Sequence, residues 1–317
     1  MPPHPFRFGV QLSSVPAADF APLLRRVESL GYSSAFWPDH FGPQLEPVAA
    51  LAAAAAVTKT LRVGSLVYGV DYRHPVVLAK ASATIQLLSG GRHEFGLGAG
   101  WMQSDYDQAG MAYDRPSARI ERLDEALSII RSMWVEPKTT FSGRHYTVVD
   151  VPRAVEPVPA APPAVLVGGG GRKVLAVAGR HADIVGINPS IPEGRVLPHP
   201  VHDLAPERVR EKIGWVREAA ESAGRDFSAL ELQSLIFVTA VIDDPRPVRE
   251  LVSKQTGMSV DDVAECAGFL TGPGSEIRDR LEQRRAETGI SYVVIQGGDP
   301  AALERFAESV VEALAGR

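Results

Sequence analysis

The chain has 317 residues, 45% hydrophobic and 22% charged, which suits a globular protein with a large buried core rather than a disordered or fibrous one. A net charge of −5 gives no electrostatic reason to expect nucleic acid or an anionic membrane surface. One cysteine, Cys266, excludes an intramolecular disulfide and a cysteine-built metal site, and fits a reducing, cytoplasmic setting.

The opening residues Met1, Pro2, Pro3, His4 and Pro5 lack a basic region leading into an apolar run, so no signal peptide is expected. Residues 6–12 carry β-favouring residues in alternation, and residues 19–30 then have helical periodicity ending at Gly31. A short strand at 34–37 precedes a helix at 47–58, whose alanine-rich apolar run is too short to span a bilayer. The third pair is a strand at 61–68 and a helix at 75–88, closed by Ser89, Gly90 and Gly91. A fourth strand at 93–97 is followed, after a loop, by a long helix at 116–134.

Residues 139–149 form an excursion, read as a hairpin around Ser142 and Gly143. A proline-rich stretch then leads to a fifth strand at 164–167 and a helix at 172–179. The sixth strand, 184–187, runs into a long loop at 188–205, expected to lie over the site. A helix at 206–223, a seventh strand at 230–242, a helical region containing 274–288, an eighth strand at 292–295 and a helix at 301–314 complete the chain. Eight short strands alternating with helices, without a linker of domain-boundary character, predict one (β/α)8 barrel domain over residues 1–317; a doubly wound open sheet is the alternative.

In such a barrel the strand ends collect the chemistry on one face. The second strand ends in Asp39 and His40, a carboxylate beside an imidazole that can donate or accept a proton near neutral pH. As a structural pair, Asp39 would cap the next segment and His40 would be a satisfied histidine. The fourth strand ends in Gly98, Ala99, Gly100 and Trp101, where small residues let a planar ring lie near the backbone and the indole can wall a cavity. The fifth strand runs through Gly168, Gly169, Gly170 and Gly171 to Arg172 at a helix start, an arrangement suited to phosphate, with Arg172 adding a charge-assisted bond.

Between the third strand and its helix lies Asp71, Tyr72, Arg73, His74, Pro75; its bland reading is an exposed turn with Arg73 paired to Asp71. No pair among His40, His74, Asp39 and Asp71 has metal-ligand spacing, so no metal is expected. His199 and His202 beside Asp203 form a second candidate cluster in the long loop, while Cys266 has no activating context.

Taken together, the segments 8–12, 38–40, 61–64, 71–75, 88–92, 96–101, 119–123, 167–172, 182–183 and 289–292 resemble the luciferase-like monooxygenase superfamily. The resemblance runs over nearly the entire chain and is nearest to the branch of oxidoreductases that use the deazaflavin coenzyme F420. It implies a bacterial-luciferase-like (β/α)8 TIM barrel with loop insertions, commonly a homodimer, acting on a small-molecule substrate. Asp39 and His40 match positions beside ring or substrate, with His40 as candidate acid/base. Leu66 and Val67 match a third-strand bulge that often holds a non-prolyl cis peptide behind the ring. Gly98, Ala99, Gly100 and Trp101 match the ring wall, and Gly168 to Arg172 the phosphate-side turn.

Sugar-phosphate dehydrogenases of this superfamily carry a catalytic glutamate where Trp101 stands and a tryptophan where Gln44 stands, which speaks against a sugar-phosphate substrate. An FMN-dependent monooxygenase and a non-catalytic flavin- or deazaflavin-binding protein are the alternatives.

Overall fold

The computed structural model describes residues 4–156, 159–191, 194–195 and 199–317, with the side chains of 199 and 200 left aside. Eight parallel strands close into a barrel: Arg7–Gln11, Ser34–Trp37, Arg62–Ser65 continued by Tyr68–Gly69, His93–Gly98, Ala164–Gly169, Ile184–Ile187, Glu231–Ile236 and Ile290–Gln296. Each pairs with its neighbours in sequence, the eighth with the first, and the third with the fourth through Val63 and His93. No open sheet edge remains in this ring, so the doubly wound alternative is excluded.

Such strands are covered on both faces and therefore read as nearly continuous apolar runs. In the eighth strand Tyr292 and Val294 turn into the barrel, with Phe36, Leu66, Leu166 and Ile184. Val293 and Ile295 turn outward into the larger core beneath the helices. Several covering helices begin with proline in the first turn (Pro47, Pro75, Pro116, Pro206 and Pro300), where its fixed φ helps and its missing N–H is not needed.

The N-terminal end of the barrel is closed by charge. Glu94 Oε1 accepts from Arg7 Nη1 at 2.5 Å and Arg62 Nε at 2.6 Å, while its Oε2 accepts from the Tyr292 hydroxyl at 2.8 Å. Arg7 Nε also donates to Glu231 Oε1 at 2.6 Å. Burial opposes ionisation of Glu94, but the two guanidiniums outweigh it and hold the carboxyl below its ordinary range.

Two expectations need revision. The seventh strand is not continuous over 230–242. It leaves the barrel at Phe237, whose N–H donates to Gly268 O at 2.8 Å, and Val238–Val241 pairs instead with Phe269–Gly272. The loop expected after the fourth strand contains the helix Gln103–Ala109. Helices Arg246–Thr256 and Val260–Glu265 fill the stretch before Phe269–Gly272. The hairpin is present as Lys138–Ser142 paired with Thr147–Pro152.

Candidate active site at the C-terminal mouth

The strand ends bring His40, Leu66, Val67, Gly98 to Trp101 and Gly168 to Gly171 to one end of the barrel. Asp39 and His40, adjacent in sequence, have different surroundings. Asp39 is buried, and its carboxylate accepts from Arg73 Nη1 at 2.7 Å, Arg73 Nη2 at 3.1 Å and the Gly69 N–H at 3.0 Å. A bidentate guanidinium pair of this kind fixes the geometry of the carboxylate. These bonds suit Asp39 to anchoring the third-strand turn rather than to exchanging protons.

His40 is about a quarter exposed, and its Nδ1 lies 2.7 Å from Asp105 Oδ2. Among the described residues none bonds its Nε2. The Trp101 ring stands edge-on to the imidazole with centroids 5.5 Å apart, and Gln44 Nε2 donates to the His40 carbonyl at 2.8 Å. Asp105 is buried, and it also accepts from the Tyr72 hydroxyl at 3.1 Å and the Phe41 N–H at 3.3 Å. Burial, and next the Asp105 charge, push the Tyr72 phenol well above its ordinary pKa, so it stays a donor. Asp105 escaped sequence reasoning because its helix is short and polar, QSDYDQA, with no apolar period to mark it.

The Asp71–Pro75 turn binds the strand-end loops together. Asp71 accepts from Arg122 Nε at 2.7 Å and the Tyr106 hydroxyl at 2.8 Å, Tyr72 reaches Asp105, and Arg73 reaches Asp39 and Glu46. His74 caps the helix Pro75–Leu88 by accepting from the Val76 N–H at 3.3 Å. The bland pairing of Arg73 with Asp71 is therefore replaced by two separate ion pairs, Arg73 with Asp39 and Arg122 with Asp71.

The Leu66–Val67 peptide is cis, and the Leu66 carbonyl accepts from Gln11 Nε2 at 2.8 Å. A Cβ on Gly98 would lie 2.7 Å from a Val67 methyl, and one on Gly100, at φ +72°, would lie 2.0 Å from the Tyr106 hydroxyl. The glycines here thus admit Val67 and Tyr106 as well as opening the mouth. Ala99 packs at the edge of the core.

The glycine run behaves differently from the expected nest. None of Gly168 to Gly171 has positive φ, so its N–H groups do not alternate in handedness. Gly170 is required by close approach, since a Cβ would meet the Pro189–Ser190 backbone at 2.2–2.4 Å. That backbone is pinned by buried Lys212, whose Nζ donates to Asn188 O at 2.7 Å and Asp203 Oδ2 at 2.5 Å. Gly171 begins the helix Arg172–His181, whose first N–H groups have no side-chain cap and no acid beside them. Arg172 is bonded to Glu218 on the helix Pro206–Ser222 at 2.9 Å, so its charge is directed there instead of to the glycine turn.

Beyond the sixth strand, Gly194 O accepts from the Gln103 N–H at 2.9 Å, while the Tyr113 hydroxyl donates to Trp101 O at 2.9 Å. The loop after the sixth strand therefore touches the loop after the fourth across the mouth. Parts of that loop, and the His199 side chain, lie outside the described residues. His202 Nε2 lies 2.9 Å from Thr256 O, and Asp203 serves Lys212, Arg208 and the Ser190 N–H. The second histidine cluster is thus, in its described part, a brace for the loop. Among the described residues no group of three or more His, Cys, Asp or Glu could hold a metal, and no helix is long and apolar enough to cross a membrane.

A family model described as luciferase-like monooxygenase matches residues 4–292. The chain belongs to this family. An F420-dependent glucose-6-phosphate dehydrogenase of Intrasporangium calvum is 29% identical over 320 residues, covering 92% of this chain and 93% of its own. A pyrimidine monooxygenase of Enterobacter cloacae is 30% identical over 220 residues, 69% of this luciferase-like chain; the match spans only 56% of that relative's length. The coenzyme F420-dependent tetrahydromethanopterin reductase of Methanopyrus kandleri superposes with a TM-score of 0.79 at 17% identity, covering 98% of this chain and all of the other. A monooxygenase of Streptomyces bottropensis gives 0.76 at 21%, again over 98% and 100%. At these identities the two structures establish the barrel fold. The relatives of this chain thus include both an F420-dependent dehydrogenase and a monooxygenase.

Proposed function

We propose that this luciferase-like protein is an F420-dependent oxidoreductase that passes a hydride between the deazaflavin and a small organic substrate. The observation that carries the reading is His40, an imidazole fixed through one nitrogen and, among the described residues, unbonded at the other, at the mouth of a barrel of this family. The match over nearly the full length of an F420-dependent dehydrogenase supports the cofactor. Trp101 and Gln44, which replace the glutamate and tryptophan of sugar-phosphate enzymes, direct the reading away from that relative's substrate.

The residues present fit a phosphate-bearing planar cofactor. The uncapped helix start behind Gly171 offers N–H groups to an anion, and it has no acid in its first turn to repel one. Leu66, Val67 and Gly98 to Trp101 would border the ring, and the helix start behind Gly171, at the end of the Gly168 to Gly171 run, would hold the phosphate. The deazaflavin, when bound, supplies the two-electron hydride chemistry. His40 Nε2 takes or returns the substrate proton that accompanies hydride transfer. Asp39 keeps the third-strand turn in place through Arg73, and the contact between Gly194 and Gln103 limits water at the mouth.

The same reading includes a homodimer. The helix Pro47–Val57 is apolar on all sides, and the helix Pro75–Leu88 exposes Val77 and Leu88, at 56% and 69%.

FMN-dependent monooxygenation is the second reading, favoured by the pyrimidine monooxygenase relative. Titrating the purified protein with F420 and with FMN separates the two: F420 should bind more tightly, and binding of FMN alone would sink the first reading. His40→Ala should lower hydride transfer by roughly 100-fold, within the range for loss of a general acid or base. An unchanged rate would remove His40 from its role, and tight binding without turnover over a broad substrate panel would favour a storage protein.

A further inference from the structure

An imidazole that moves a proton at one nitrogen needs a defined tautomer, and the hydrogen bond at its other nitrogen sets which one is present. Asp105 is placed for that task. Its Oδ2 lies 2.7 Å from His40 Nδ1, and an ionised carboxylate can only accept, so the proton of a neutral imidazole belongs on Nδ1. The carboxylate is itself held from two further directions, by the Tyr72 hydroxyl at Oδ2 and the Phe41 N–H at Oδ1. The three donors come from the second-strand loop, the third-strand turn and the imidazole itself, so Asp105 cannot rotate without giving up a bond. Tyr72 is in turn packed between Phe41, at 4.6 Å between ring centroids, and Tyr106, at 5.5 Å. Burial makes the arrangement consequential: Asp105 is 3% exposed, so water cannot readily replace a lost partner.

We propose that Asp105 is the positioning residue of this site, holding the His40 proton on Nδ1 so that Nε2 faces the mouth as an acceptor, with Tyr72 fixing the carboxylate. The role deepens the oxidoreductase reading and rests on it for its effect on turnover, but the tautomer itself can be read without cofactor or substrate. The geometry also separates the two acids near His40. Asp39, its neighbour in sequence, is committed to Arg73, whereas Asp105, 65 residues away, serves the ring.

The test is nitrogen-15 NMR of histidine-labelled protein in mildly alkaline buffer, with His40 assigned by difference from His40→Ala. A protonated Nδ1 and an unprotonated Nε2 are expected, and Asp105→Ala should shift the signals toward the tautomer mixture of a free imidazole. A wild-type spectrum with the proton on Nε2 overturns the proposal, and it does so even if Asp105→Ala fails to fold. In the folded variant turnover should drop by about 100-fold with cofactor affinity retained, as for loss of an orienting carboxylate. An unchanged tautomer and turnover in Asp105→Ala would likewise overturn it. Wild-type protein that binds neither F420 nor FMN defeats the functional reading instead, and leaves the tautomer result standing.

Discussion

The two ends of this barrel use similar charged groups for opposite ends. At the N-terminal end Glu94, Glu231, Arg7, Arg62 and Tyr292 bond mainly to one another, and Glu94 is 1% exposed. At the C-terminal mouth Asp39, Asp105 and Asp71 are also buried or nearly so, yet the network that includes Asp105 ends on an imidazole whose second nitrogen no described residue bonds. The first arrangement closes upon itself. The second delivers its fixed geometry to a single unfilled position, which is what a reactive group requires. Buried ion pairs are therefore poor evidence of function by themselves; the nitrogen without a described partner at the end of the network is the better guide.

The comparison predicts that substitutions at the two ends separate stability from turnover. Glu94→Gln leaves the partly exposed Arg7 and Arg62 facing a neutral amide at a buried position, and should cost about 3–5 kcal/mol in urea unfolding. Protein that remains folded should keep its cofactor affinity, because Glu94 lies at the far end of the fourth strand from Gly98. A loss below about 1 kcal/mol would show that the closed network carries little of the stability assigned to it.

Within the mouth, the glycine turn offers a smaller contrast. Gly170→Ala must push back the Pro189–Ser190 backbone and should destabilise by about 1–3 kcal/mol, as overpacking does. Gly171→Ala has Ser190 Oγ as its nearest obstacle, at 3.7 Å, and should change stability by less than about 1 kcal/mol. Paired unfolding curves decide the matter. Equal losses would mean that close approach at Gly170 is not the reason for glycine there.

Much of this was legible in the chain. Barrel strands announce themselves because both faces are covered, so β-branched and aromatic residues run together, and several of the helices that follow begin with proline. The departure at Phe237 was not legible, since residues 230–242 stay apolar while the strand changes its pairing partner, and local pattern carries no information about the partner. The same limit applies to the mouth. Asp39 and His40 stand out by adjacency, but Asp105 becomes relevant only when the fold carries a seven-residue helix back against the second-strand loop. The glycine run was visible while its reason was not, because Pro189 and Ser190 approach it from another loop.

An effect read through pH alone lies at the N-terminal end, beside the entry to the third strand. Partial burial of Glu28 disfavours its charge, but the N–H groups of Lys59, Thr60 and Leu61 and the Thr60 hydroxyl all donate to Oε1, and they hold the carboxyl down to about 2. Its folded pKa lies below the unfolded value of about 4.3, so the group favours folding. That contribution is complete above about pH 4.3 and is lost as pH falls toward 2. Carbon-13 titration of the Glu28 carboxyl should show a midpoint near 2, and Glu28→Gln should flatten the acid limb of the stability curve over this interval. A midpoint near 4.3 would mean that the loop donors prefer water, and that Arg92, which donates to the carbonyls of Ala55, Thr58 and Leu61, holds this loop without help from Glu28.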